Sequence, residues 1–127
     1  MQFADFHLHS SYSRATSKNI TLEEMTRNAR IKGLDILGTG DFTHPKWVKE
    51  LKEKLAHDNG IYNYDNINFI LSGEISLVYT QAGKGRRIHH VLLAPDFDAV
   101  DQINAFLDKK GRRDYDGRPI FGFSSIE

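Results

Sequence analysis

Phe3-Ala4-Asp5-Phe6-His7-Leu8-His9 opens the chain, and its reading decides how the rest is placed. The apolar positions mark a strand. Side chains of a strand alternate between its two faces, so His7 and His9 share one side. Neighbours on one face stand about 6–7 Å apart at their base. One metal ion, at about 2.0–2.1 Å from each imidazole nitrogen, fits between them. Asp5 lies one pleat earlier on that face and is placed to orient an imidazole from behind. The competing reading is a pair of surface histidines at a strand end, and the rest of the chain has to decide between them.

Working outward, residues 10–19 are polar and read as a loop. Thr21 with Glu24 three residues later makes a capping box that opens a helix. Leu22, Met25, Ala29 and Ile31 supply its buried stripe, and Gly33 suits the left-handed position that ends it. Residues 34–39 form a short apolar strand, followed by the turn Gly40-Asp41-Phe42-Thr43-His44. Pro45 begins a second helix, 45–56, with Trp47, Val48, Leu51 and Leu55 inward. Residues 59–66 read as a loop. A third strand runs over 68–75 and extends through 76–80, turns at 81–85, and a fourth returns over 88–94. Asp98 opens a last helix with Val100, Ile103, Phe106 and Leu107 inward. Residues 120–123 read as a buried strand or turn, and 124–127 as the start of another helix. A capping serine so close to the end suggests the first part of something longer. Strands alternating with helices at this spacing predict an α/β fold of βαβ units in a mainly parallel sheet or barrel.

With 127 residues and no cysteine, the chain fits one small globular unit without disulfides or thiolate metal sites. Six histidines leave imidazole and carboxylate as the available ligands. Net charge is zero, so composition alone argues for neither a nucleic-acid nor a membrane partner. No apolar run approaches the ~18 residues of a membrane span, and no secretion signal opens the chain, which fits a cytoplasmic enzyme.

Five candidate ligands fall in strands or at strand ends: His7, His9, Asp41, Glu74 and His89 or His90. Sites in α/β folds gather at the carboxyl ends of strands. Asp41 directly follows a strand in a Gly-Thr-Gly-Asp turn; as an alternative it caps the helix at Pro45. Glu74 interrupts an apolar segment, where a carboxylate is costly to bury unless it is paired or metal-bound. Strand alternation sends His89 and His90 to opposite faces. A three-residue turn, Gln81-Ala82-Gly83, would set His90 opposite Glu74, and a different loop length shifts that pairing.

These motifs resemble the PHP (polymerase and histidinol phosphatase) superfamily. His7-Leu8-His9-Ser10 is similar to its first motif, and Gly38-Thr39-Gly40-Asp41 closes a run similar to its second. Gly73-Glu74-Ile75-Ser76 resembles the third, and His89 before Val91-Leu92-Leu93-Ala94 the next. Residues 13–18, 38–47 and 116–127 are similar to runs of endonuclease Q-like proteins. The resemblance implies that the chain is the N-terminal portion of a distorted PHP-type β/α barrel, with later barrel elements and any C-terminal domains absent from 1–127. It implies divalent metal ions (zinc, manganese, magnesium or iron, up to three in a complete domain) and hydrolysis of phosphoric esters. For the endonuclease Q-like branch it implies DNA as substrate, cut on the 5′ side of deaminated or abasic nucleotides. The expected ligands are His7, His9, Asp41, Glu74 and His89, with His89 favoured over His90 by alignment to the superfamily motif. Here Asp41 stands where the commoner second motif, Thr-Asp-His, has histidine.

Arg14 and Lys18, in the loop after the histidine pair, are placed to neutralise a phosphate. The basic runs Lys84-Gly85-Arg86-Arg87 and Lys109-Lys110-Gly111-Arg112-Arg113 read either as phosphate contacts or as solvated loops. His44 reads as an orienting or substrate-facing group or a plain turn residue, and His57 as structural at a helix end. Two rival functions remain at this level: a small-molecule phosphatase of the histidinol-phosphate kind, and a non-catalytic metal-binding scaffold.

Overall fold

The computed structural model describes residues 1–125. In chain order the elements are β1 (Ala4–Asp5), α1 (Leu22–Lys32), β2 (Ile36–Gly38), α2 (Pro45–Lys54), β3 (Ala56–Asp58) and β4 (Ile61–Tyr64). They continue with β5 (Ile67–Gln81), β6 (Lys84–Ala94), α3 (Phe97–Asp108) and β7 (Ile120–Phe121). The fold is mixed α/β, as expected. The helix start expected at 124–127 falls partly on residues 126 and 127, outside the described residues.

Helix α1 forms where local chemistry asks for it. Thr21 accepts the Glu24 N–H at 3.2 Å, and Gly33 closes the helix at φ 70°. Only half of the capping box is made, because the Glu24 carboxylate turns to Arg27 instead. Ile31 was expected inside but is 72% exposed, and Thr26 takes the buried place. Pro45 starts α2, whose Trp47 and Leu51 are fully buried. Asp96, not Asp98, caps α3 by accepting the Ala99 N–H at 2.8 Å. Phe106 is half exposed, and Asn104 lies inside in its stead, donating to the Phe42 carbonyl.

β5 is the spine. Its first part pairs with β2 in parallel and with β4 antiparallel; its second part pairs with β6 antiparallel and β7 in parallel. β1 joins β2 in parallel, and β3 joins β4 antiparallel. Half of these ladders are therefore antiparallel, which corrects the expectation of a mainly parallel sheet. Among the described residues the strands branch from β5 and do not close into a ring.

Residues 56–64, expected in part as loop, are a hairpin. Asn59 and Gly60 at its tip both have positive φ (54° and 86°), the conformation a two-residue hairpin turn requires. The main core gathers Leu22, Phe42, Trp47, Leu51, Phe69 and Leu71 between the helices and the sheet. Burying each such side chain contributes about 1.5–3 kcal/mol. No helix among the described residues is long and apolar enough to cross a membrane.

Candidate metal centre

β1 is much shorter than the strand expected over 3–9, because β2, its neighbour in the sheet, offers only three residues. His7 and His9 lie past its end. They reach one place because the loop after β2 comes up against them. A Cβ on Gly40, which sits at φ 64°, would collide with the Leu8 carbonyl, so only glycine lets the two segments approach this closely. The loop is tied to β5 by Gly40 N–H donating to Ser72 Oγ at 2.9 Å. Thr39 and Ser72 exchange further bonds. From below, the Trp47 indole N–H donates to the Thr39 and Gly40 carbonyls at 3.2 and 2.9 Å.

Glu74 is the hub. Its Oε2 lies 2.8 Å from His7 Nε2 and 2.9 Å from His9 Nε2, while its Oε1 lies 3.0 Å from His89 Nδ1 and 3.9 Å from an Arg118 nitrogen. The carboxylate is 3% exposed. One donor atom from each of His7, His9 and Glu74 falls within 4.8 Å of the others. Two imidazoles and a carboxylate converging on so small a volume, one of them deeply buried, suit a divalent cation.

Asp41 takes a different station. It is fully buried at φ 50°, with Oδ1 2.9 Å from His9 Nδ1. Its Oδ2 accepts both the backbone N–H and the hydroxyl of Ser10, each at 2.6 Å. It thus grips the far side of the His9 ring, as carboxylates do behind metal-bound histidines. A Cβ on Gly117 would run into the Asp41 carboxylate, so segment 116–119 closes over this group.

The charges follow. His9 is raised above its usual value: its hydrogen bond with Asp41 raises it most, burial opposes, and the charges of Asp41 and Glu74 add to the rise. Burial pushes the Glu74 carboxyl up, yet the His7 hydrogen bond and the charges of His9, His7 and Arg118 together outweigh it and leave it below the usual range.

The choice between His89 and His90 turns on one residue. The turn between β5 and β6 is Ala82-Gly83, two residues both at positive φ, not three. The ladder therefore sets Glu74 opposite Val91, Ser76 opposite His89 and Ile75 opposite His90. Residues opposite or two apart share a face, so His89 lies on the Glu74 side and His90 on the other.

Of the remaining expectations, Asp5 does not orient an imidazole; its Oδ1 accepts the His7 backbone N–H. Arg14 is exposed and lies over the Tyr115 ring, and Lys18 is exposed in the same loop. His44 is buried, stacked on Tyr12 with ring centres 4.5 Å apart, and burial pushes its imidazole below the usual value. His57 sits in β3 rather than at a helix end, stacked on Tyr62, and its Nε2 accepts the Gly60 N–H. Arg118 is the residue that reading by motif missed. Its signal was present in the Asp116-Gly117-Arg118-Pro119 run. A cavity of about 320 Å³ is lined by residues that include His7, Leu8 and His9 together with Met25 and Ala29 of α1.

No family model matches the chain. It is 34% identical over 124 residues to an uncharacterized protein of Methanocaldococcus jannaschii, which is 97% of this chain and 14% of that one. It resembles the crystal structure of the lesion-specific endonuclease PfuEndoQ from Pyrococcus furiosus, with a TM-score of 0.83 and 30% identity over 96% of this chain. It also resembles endonuclease Q in complex with a 27-mer duplex substrate carrying an abasic lesion at the active site. That match has a TM-score of 0.83 and 33% identity over 95% of this chain. The chain spans 29% of each of those two structures. The likeness to endonuclease Q-like proteins read from the motifs is borne out in three dimensions.

Proposed function

We propose that this chain carries the metal-dependent phosphoesterase site of an endonuclease Q-like enzyme, which cuts DNA 5′ to deaminated or abasic nucleotides. The observation that carries the proposal is the Glu74 carboxylate, buried with one oxygen toward His7 and His9 and the other toward His89. His7, His9 and Glu74 are the residues to hold a first divalent ion. His89, on the other oxygen of Glu74, extends the donor set to a second ion, with Asp41 behind His9. When bound, such an ion supplies Lewis acidity toward a phosphoryl oxygen and activates water near neutral pH.

The protein's own groups prepare the site. Asp41 lies 2.9 Å from His9 Nδ1, so that with an ion bound it would hold the ring proton on Nδ1 and free the Nε2 lone pair for the metal. Ser10 fixes Asp41 through two bonds to one oxygen, which sets the plane of the carboxylate. Glu74, kept ionised by its cationic surroundings, balances the charge of the ion. The half-exposed His7 and His89 leave the site open on one side, where a backbone phosphate can enter.

The test is cleavage of labelled duplexes carrying uracil, hypoxanthine or an abasic site, with Mn²⁺, Mg²⁺ or Zn²⁺ added. We expect cuts 5′ to the lesion that need the metal and vanish in Glu74→Gln. Cleavage unchanged in Glu74→Gln would overturn the proposal. So would hydrolysis of a small phosphomonoester with no cut in any DNA, the outcome that favours a phosphatase.

A further inference from the structure

The arginines of this chain divide by what they touch. Arg27, Arg30, Arg112 and Arg113 are each paired with a carboxylate. Arg14 lies over Tyr115. Arg118 approaches the site's own carboxylate only to 3.9 Å, and Glu74 already meets three imidazoles, so among the described residues the guanidinium fork keeps its donors. Arg86 and Arg87 are exposed, and among the described residues neither makes an ion pair or a side-chain hydrogen bond.

The β5–β6 ladder sorts these last two. It runs without interruption from Leu71 opposite Ala94 to Gln81 opposite Lys84. Alternation then places Arg87, His89 and Val91 on the Glu74 face, and Lys84, Arg86 and His90 on the face of Ile75 and Leu77. The 3.0 Å contact of His89 with Glu74 fixes which face is which. Arg87 stands one step beyond His89 along β6. Arg118 comes from the opposite flank, two residues ahead of Ile120, which pairs with Ser76 of β5 in β7.

We infer that Arg118 and Arg87 form a two-point phosphate track across the metal face of the β5–β6 ribbon: Arg118 seats the phosphate at the site, and Arg87 a neighbouring phosphate of the same strand. The inference rests on the reading of the centre as a phosphoester site. Guanidinium forks match phosphate oxygens two at a time, so an arginine with free donors next to such a centre is suited to this role. The chain has 17 basic and 17 acidic residues, so bulk charge does not draw DNA to it, and local cations decide where it lies.

The experiment measures binding of a fluorescein-labelled duplex with an abasic site by anisotropy, across a salt series, for the full chain and four variants. Arg87→Gln and Arg118→Gln should each weaken binding and flatten the log–log salt slope by about one unit. Arg118→Lys, which keeps the charge but not the fork, should restore the slope. Arg86→Gln, which removes the same charge from the opposite face, should leave it as in the parent. Equal losses for Arg86→Gln and Arg87→Gln, or no loss for Arg87→Gln, would overturn the track. Failure of the site reading looks different: no hydrolysis with any metal, while the slopes still separate the two faces.

Discussion

Replacing Asp41 by asparagine separates two roles that the sequence leaves mixed, metal ligand and keeper of His9. Asparagine has the same shape and tolerates the left-handed backbone at φ 50°, so the turn itself should survive. Its amide oxygen can still accept both Ser10 donors that now meet Oδ2 at 2.6 Å. The amide NH₂ then faces His9 Nδ1, where a carboxylate oxygen stood at 2.9 Å. A donor against that nitrogen forces the ring proton to Nε2, the atom beside Glu74, and Nε2 loses the lone pair that a metal needs.

The expected stability loss is small, about 1–2 kcal/mol for weakened charge-assisted bonds. Asp41→Ala, by contrast, strands the Ser10 N–H and hydroxyl in a dry site and should cost about 2–5 kcal/mol, at about 1–3 kcal/mol for each unmet donor. Metal affinity in Asp41→Asn should fall about 10–100-fold, the usual cost of removing a carboxylate behind a metal-bound histidine. That corresponds to about 1.4–2.8 kcal/mol. The assay is calorimetric titration of Mn²⁺ or Zn²⁺ into the parent, Asp41→Asn and Glu74→Gln, each checked for folding by thermal melting in chelator. Affinity unchanged in a folded Asp41→Asn would refute the tautomer argument. A loss as deep as that of Glu74→Gln would make Asp41 a direct ligand.

Three further outcomes follow from the same structure. Metal affinity should weaken as pH falls through the raised value of His9, because protons compete for its nitrogen, and should still be climbing above pH 6.5; a plateau reached below that pH in a titration series would show that Asp41 and Glu74 do not raise His9. Glu23 is held at about 2, chiefly by its hydrogen bond with Lys54. A depressed carboxylate stabilises above its unfolded value and loses that contribution as pH falls, so urea melts between about pH 4.5 and 2 should show it, and Glu23→Gln should flatten that limb. Both side chains are partly exposed, so the contribution after solvent screening is about 0.5–1 kcal/mol and fades in high salt. Trp47→Phe should lower stability by about 2–4 kcal/mol in chemical denaturation, since the Thr39 and Gly40 carbonyls lose their shared donor and the fully buried site is underfilled; a loss under 1 kcal/mol would mean the loop holds itself without the indole.

What the sequence showed and what it hid divide along the range of the forces involved. The ends of α1 and the start of α2 are written locally, in Thr21, Gly33 and Pro45, and they form where expected. The length of β1 is not local, because a strand lasts only as long as its neighbour, and β2 gives it two paired residues. The hairpin at 56–64 hid for a related reason. Asn59-Gly60 is a strong turn signal, but β3 is exposed along its whole length, so no apolar alternation announced it. The Asp116-Gly117-Arg118-Pro119 run marked a turn, but its place beside Glu74 comes only with the fold.

The two histidines at 89 and 90 show how fine this boundary is. Period-two alternation dictates that exactly opposite faces receive them, and it does so from the sequence alone. Which face holds Glu74 depends on the parity of the turn, and parity changes with a single residue. Ala82 at φ 50° and Gly83 at φ 73° close the hairpin with two residues, as tight hairpins with right-handed strand twist prefer. With Gln81 paired to Lys84, the index sum of every opposed pair is set, and His89 falls on the side of the carboxylate. A third turn residue would have brought His90 there instead and sent His89 to the Ile75 face. The composition of the site is therefore decided by the backbone of two residues at the far end of the ribbon, neither of which touches it.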